Sequence, residues 1–235
     1  MALRFAWPVI TLLLVLWGLA PVPTTGQVTD TAPPDVRVLH TVYAWDSPLG
    51  TGALRVADRT AYPVFYGGPV AAATGALLTG TPPAPAYRLT LASAGAVGAT
   101  IAIKRLTRRP RPFYMHGAIT SRSPEFHEGR PVSDSYAMPS GHAALSAAQV
   151  TSWSLSHPRW YVIGPGVVWA TGVSVSRIWQ GVHYPSDVLL GAALGVGIGL
   201  TVHWMRAALT PSVWHEAPAA PRTLALPTVH VRIGL

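Results

Sequence analysis

The stretch Ser176-Arg177-Ile178-Trp179-Gln180-Gly181-Val182-His183-Tyr184-Pro185-Ser186-Asp187 joins two long apolar runs, 161–177 and 187–205. One arginine closes the first run and one aspartate opens the second. Arg177 is the only Lys or Arg between Trp160 and Met205, and Asp187 is the only acidic residue between Pro139 and His215. Isolated charges in apolar sequence are costly, so they turn toward the interior of a helical bundle and carry function there. Pro185 suits the first turn of a helix, which places His183 just before that helix and Asp187 inside its opening turn.

Three more apolar segments precede this pair, at roughly 62–80, 88–104 and 140–157. Each approaches the ~20 residues of a membrane span, although Gln149, Thr151 and several serines dilute the third. Their Gly, Ala and Ser residues suit close contact between helices. The fold expected is all-α: a helical bundle embedded in a membrane, with five or six spanning segments once an N-terminal run is counted. A soluble helical bundle in the periplasm is the alternative. Composition points the same way, since 11% of the 235 residues are charged and 49% are apolar, against a charged share of about 25% in soluble domains. So little charge does not cover a water-facing surface, and the length suits one domain.

Arg4 and the apolar run from Phe5 to Ala20 mark residues 1–26 as a secretory signal or first membrane anchor, with Gly26 at a candidate cleavage site. Residues 27–61 then form a polar extracytoplasmic segment, read as loop with one short surface helix. The core occupies 62–206, and 207–235 is a Pro-rich tail. If the first segment exits the cytoplasm, the links 81–87 and 156–160 and the tail lie inside. Arg88, Arg159 and Arg206 then sit on the positive-inside face. The basic run after Lys104 falls outside, against that rule, and a functional role would explain it. The expected location is a bacterial-type inner membrane with the active site facing the periplasm or exterior.

The formal net charge is +8, but the basic residues crowd between Lys104 and Arg130 without the repeated basic–aromatic pattern of a nucleic-acid groove. Anionic substrates, phosphates above all, fit that cluster better. The absence of cysteine excludes disulfides, thiolate metal sites and cysteine nucleophiles.

Three groups carry the chemistry: Lys104…Arg111-Pro112, Pro139-Ser140-Gly141-His142, and Ser176-Arg177…His183…Asp187. Lys104 is the only lysine in the chain. Each group lies where an apolar helix begins or ends, and an alternating topology brings all three to one membrane face. Lys104, Arg111 and Arg177 suit the equatorial oxygens of a phosphoryl group. Ser140, Gly141 and His142 open a helix, where free N–H groups and the dipole favour an anion. Asp187 can fix the tautomer of His183 and leave the other ring nitrogen to attack phosphorus. His142 can protonate the leaving oxygen and then activate water.

This pattern resembles the type 2 phosphatidic acid phosphatase superfamily, which also contains vanadium haloperoxidases, and no defining position between Lys104 and Asp187 departs from it. The run Gly181-Val182-His183-Tyr184-Pro185-Ser186-Asp187-Val188-Leu189 resembles the bacterial lipid-phosphatase branch in particular. The resemblance implies an α-helical core, a phosphohistidine intermediate formed without a metal, and contact of Ser140 and Gly141 with the phosphate. It also implies no cofactor, with vanadate binding as a phosphate mimic. The substrate expected is a lipid phosphate or isoprenoid diphosphate, with no nucleic acid and no obligate protein partner.

Plainer readings stand beside these. A soluble periplasmic acid phosphatase, a vanadate-dependent haloperoxidase and a non-enzymatic anion-conducting bundle are the alternatives. His142, His183 and Asp187 also form a two-histidine, one-carboxylate set, but three nearby cations disfavour a bound metal. Arg105, Arg108 and Arg109 read as membrane anchors or headgroup contacts, and His116 and His127 as solvated. Trp160 and Trp204 suit an interfacial belt. Trp179 and Tyr184 are placed at the substrate entrance.

Overall fold

The computed structural model describes residues 32–126 and 135–214, so the segment read as a signal or anchor and most of the tail lie outside it. The helices in chain order are α1 (Pro34–Tyr43), α2 (Pro48–Thr79), α3 (Ala84–Thr107), α4 (Pro112–Met115), α5 (Gly141–Ser156), α6 (Trp160–Trp179), α7 (Pro185–Trp204) and α8 (Arg206–Leu209). Among the described residues the β content is one isolated bridge, Pro110 with Tyr136. The all-α architecture is the one expected.

Four of the five apolar segments match helices closely. The exception is α2, which begins at Pro48, well before residue 62. Ser47 caps it by accepting a hydrogen bond from the Gly50 N–H at 3.4 Å, and Pro48 supplies a first-turn φ that needs no N–H partner. Residues read as polar loop, including Asp58, are therefore helical and enter the bundle. The helix stops at Gly80, whose φ of +66° ends it in the left-handed region that glycine adopts without strain.

The closest helix pair is α5 against α7, and small residues explain it. Gly191, Gly195 and Gly199 form a stripe spaced by four along α7. A side chain at Gly191 would strike the Ser140 carbonyl, and one at Gly195 the Ala144 carbonyl. The absence of Cβ atoms lets backbone meet backbone, as in membrane bundles. This contact also sets where α5 starts, because the Ser140 N–H donates to the Asp187 carbonyl at 2.9 Å.

Two described helices, α3 and α7, are long and apolar enough to cross a membrane. Only 28% and 33% of their most apolar windows is buried within the protein, so the rest of each presents apolar side chains outward. Leu189 and Val196 on α7 and Val97 and Ile101 on α3 are exposed in this way.

Arg88 near the start of α3, Arg159 before α6 and Arg206 after α7 share one end of the bundle. Trp160 and Trp204 are at that end too, both largely exposed. The end of α3 and the starts of α5 and α7 gather at the other.

Candidate active site

The motif residues converge at that second end around a cavity of about 260 Å³. Lys104, Arg111, Gly141, His142, Arg177 and His183 line it. Ser140 and Asp187 do not. Both are fully buried behind the lining, Ser140 beneath the start of α5 and Asp187 on the far side of His183.

Each cation is aimed by protein acceptors. Lys104 is buried at the end of α3 and donates from Nζ to the Tyr136 carbonyl at 2.7 Å. Arg111 donates to the Val182 carbonyl at 3.0 Å and meets His183 Nε2 at 3.2 Å from the same Nη1. Its guanidinium lies 4.3 Å from the Phe126 ring centroid, a stacked placement that guanidinium favours. Arg177, only 1% exposed, donates to Asp58 Oδ1 at 2.8 Å and Glu125 Oε2 at 2.9 Å. A buried guanidinium needs such partners, since its desolvation is otherwise uncompensated.

The two histidines occupy unlike surroundings. His183 lies between α6 and α7, buried, with its Nδ1 3.7 Å from Asp187 Oδ2. That separation exceeds a hydrogen bond, as catalytic contacts in ligand-free sites often do. Burial first, then the charges of Arg111, Lys104 and Arg177, push its pKa well below the ordinary 6.5 and keep the ring neutral. His142 stands in the first turn of α5, with ring centroids of Tyr62 and Phe65 at 5.0 and 5.5 Å. Its Nε2 is 3.6 Å from Glu125 Oε1.

Buried polar atoms without partners are rare in folded proteins. Here Thr100 Oγ1, His142 Nε2 and Arg177 Nε, on three residues lining the cavity, are buried without a hydrogen bond, as is Ser140 Oγ beside it. Each of these atoms is sealed from solvent and so lies behind the cavity surface. Gly141 borders the cavity with space beside it: a Cβ there would meet only Thr100 Cγ2, at an ordinary 3.5 Å, so packing within the protein does not demand glycine.

The site also contains residues that the sequence reading assigned elsewhere. Arg109, read as an anchor or headgroup contact, donates to Asp187 Oδ1 at 2.7 Å, Asp35 Oδ2 at 2.7 Å and Ser186 Oγ at 2.6 Å. Ser186 in turn donates to both oxygens of Asp35. Asp187 uses its other oxygen, Oδ2, to accept from the Tyr184 N–H at 2.8 Å, closing the first turn of α7. Asp187 is thus held by Arg109 and by backbone, with His183 approaching from the remaining side. The Arg-x-Arg spacing of Arg109 and Arg111 was the available signal; nothing in sequence ties Asp35 to them.

His116 is half-buried, its Nε2 3.2 Å from the Tyr184 hydroxyl, rather than solvated. His127 lies outside the described residues. Tyr184 and Trp179 are buried away from the cavity, so neither lines its entrance. Tyr62, Tyr66, Val97 and Ile101 do.

Comparison with known proteins shows the family of the chain. A family model described as "PAP2 superfamily" matches residues 85–211, more than half of the chain. The undecaprenyl-diphosphatase of Sulfolobus acidocaldarius is 42% identical over 60 residues, 26% of this chain and 29% of its own. The decaprenylphosphoryl-5-phosphoribose phosphatase of Mycobacterium tuberculosis is 36% identical over 115 residues, 48% of this chain and 58% of its own. The chain therefore aligns with less than two thirds of either relative. Among solved structures, Aquifex aeolicus LpxE superposes with a TM-score of 0.56 at 19% identity, covering 76% of this chain and 99% of that one. A PAP2 type phosphatidylglycerolphosphate phosphatase from Bacillus subtilis gives 0.55 at 21% identity, covering 85% and 96%. At those identities the likeness is one of fold.

Proposed function

The chain belongs to the PAP2 superfamily, and from that premise we propose that it hydrolyses a phosphomonoester or diphosphate on a lipid or isoprenoid carrier. The observation that carries this reading is the single cavity bordered by Lys104, Arg111, Arg177, His142 and His183. Three cations and the opening turn of α5 suit a phosphoryl group, and two histidines divide nucleophile from acid. The proposed mechanism needs no metal and no organic cofactor.

Asp187 on the Nδ1 side of His183 favours the tautomer whose Nε2 carries the lone pair, and that nitrogen meets Arg111 at the cavity wall. His183 Nε2 attacks phosphorus as the bond to the leaving oxygen breaks. His142, which takes up a proton once the anionic phosphoryl group offsets Arg177, Arg111 and Lys104 beside it, gives that oxygen its proton. The neutral His142 next takes a proton from water, the resulting hydroxide attacks phosphorus, and the P–N bond returns its electrons to His183. Lys104, Arg111 and Arg177 stabilise the equatorial oxygens in both steps, the main contribution that a protein makes to phosphoryl transfer. Vanadate, which adopts a similar trigonal geometry, is expected to inhibit competitively.

The outward-facing apolar surfaces of α3 and α7 support a membrane setting, and the named relatives act on lipid-linked substrates. The cavity is assigned to the periplasmic or exterior face, opposite the Arg88, Arg159 and Arg206 end.

The test is phosphate release from a panel of lipid phosphates and isoprenoid diphosphates in excess EDTA. Release that survives chelation, falls at least ~10³-fold in His183→Ala, and leaves an acid-labile phosphoenzyme in His142→Ala is expected. Loss of activity on chelation, or a fully active His183→Ala, would sink the mechanism.

A further inference from the structure

A second cavity, of about 650 Å³, lies beside the catalytic one and takes no part in the mechanism above. The buried Trp179 and Gln180 at the end of α6 contribute to its wall, and Arg55, Arg59 and Arg122 border it.

One face of α2 connects the two cavities. Arg55, Asp58 and Arg59 border the outer one, whereas Tyr62 and Phe65 border the catalytic one. Spacings of three and four residues put these side chains on a common helix face. At 1.5 Å per residue, Arg55 stands ~10 Å along the axis from Tyr62, toward the start of the helix. Asp58 belongs to the partition between them, accepting from the buried Arg177.

Exposed arginines are ordinarily solvated and require no ligand. Two of these are held in place. Arg122 donates from Nη1 to the Tyr43 and Trp179 carbonyls at 2.9 and 3.2 Å. Its guanidinium lies 3.9 Å from the Tyr43 ring centroid and 5.0 Å from that of Trp179. Arg55 stands 5.5 Å from the same indole. Two guanidiniums thus share one aromatic ring, and a cation already ordered loses less freedom when it meets a ligand. Asp46 and Asp58 also border the cavity, but Asp58 is committed to Arg177. Three arginines facing one uncommitted aspartate favour an anion, and forked guanidinium donors match phosphate oxygens in pairs.

We infer that this cavity is a second site for a phosphate-bearing anion, set about two turns of α2 from the catalytic cavity. The inference deepens the phosphatase reading and rests on it only for the origin of the anion. That origin is either the second charged group of a substrate or the inorganic phosphate leaving after hydrolysis.

Equilibrium dialysis of the full chain in detergent against labelled inorganic phosphate counts the sites without any turnover. Two are expected in the wild type. Arg55→Ala/Arg59→Ala, at exposed positions outside the catalytic cavity, should weaken one of them at least tenfold and leave the other. Arg111→Ala should do the reverse. Phosphate titrations that coincide for the wild type and the double variant would overturn the second site.

Kinetics then separates the two origins, either of which sustains it. A double variant with raised KM for a diphosphate lipid, but not for the monophosphate on the same chain, assigns the site to the substrate's second group. A raised inhibition constant for phosphate with unchanged KM assigns it to the departing product. Two sites without hydrolysis of any substrate would retire the phosphatase reading alone. Hydrolysis with phosphate binding indifferent to Arg55 and Arg59 would retire this inference alone.

Discussion

The segment from Lys104 to Asp187 and the helices α1 and α2 contribute differently to one site, α2 bordering the cavity and α1 standing behind it. The first supplies the histidines and the cations. The second adds carboxylates, Asp35 against Arg109 and Asp58 against Arg177, to the Asp187 and Glu125 that the first segment already sets on the same two arginines. Both aspartates precede residue 85, where the family match begins. Reactive groups must face the substrate, so their types are confined by the chemistry. A carboxylate that holds an arginine from behind only has to arrive with the right charge and reach, and any neighbouring helix can provide it. The proposed reacting side is therefore the more tightly confined by chemistry, and the supporting side is the less confined.

The contrast is broken most severely from the reacting side. In the proposed mechanism Arg177→Ala removes a charge that stabilises the phosphoryl oxygens, and it leaves Asp58 and Glu125 without their shared cation. A fall in kcat of ~10²–10³-fold is expected, the scale of losing one charge-stabilising donor. Arg177→Lys should recover little, because an ammonium cannot bridge two carboxylates with a planar fork. A loss below tenfold would mean that Arg177 supports the bundle and not the transition state.

From the supporting side the effect is smaller. Asp35→Asn keeps Arg109 on Asp187 but weakens the charge that holds it. The expected result is a fall in kcat of roughly tenfold with KM nearly unchanged, since Arg109 acts through Asp187 and not on the substrate. Asp35→Glu should restore part of it. A rise in KM at constant kcat would place Asp35 in substrate binding and remove the distinction between the two regions.

The sequence made the reacting side legible and left the supporting side obscure, for a physical reason. Lys104, Arg177 and Asp187 announce themselves because a lone charge in apolar sequence must be used. Their distance from each other along the chain does not matter, since helix ends return them to one face. Asp35 and Asp58 lie in ordinary polar sequence, where a carboxylate is unremarkable. Only the packing of α1 and α2 against α6 and the start of α7 turns these two into partners.

The start of α2 was missed for a related reason. The apolar run begins near residue 62, but the helix is set by Ser47 and Pro48, a local cap that hydrophobicity does not report. Arg109 was misassigned because Arg105, Arg108 and Arg109, close together after an apolar helix, look like an anchor, although Arg109 turns inward.

The smallest expected effect is on pH dependence, and it distinguishes the regions by sign. Burial, then Arg111, Lys104 and Arg177, hold the pKa of His183 well below 6.5 in the folded protein. The unfolded chain, with a pKa near 6.5, therefore binds the extra proton first as pH falls. His183 contributes its full share of stability above about pH 6.5, and that share declines below it by at most ~1.4 kcal/mol for each pH unit until the folded pKa is reached. The same depression keeps the nucleophile neutral, so the acid limb of kcat/KM that belongs to His183 lies below pH 6.5. Lys104→Met removes a cation from the reacting side and should move that limb upward. Asp35→Asn removes a carboxylate from the supporting side and should leave it in place or lower it slightly. Rate profiles of the three proteins between pH 4 and 8 make the comparison. A wild-type limb at or above 6.5, or a shift of the same sign in both variants, would mean that His183 does not sense the two regions as opposite charges.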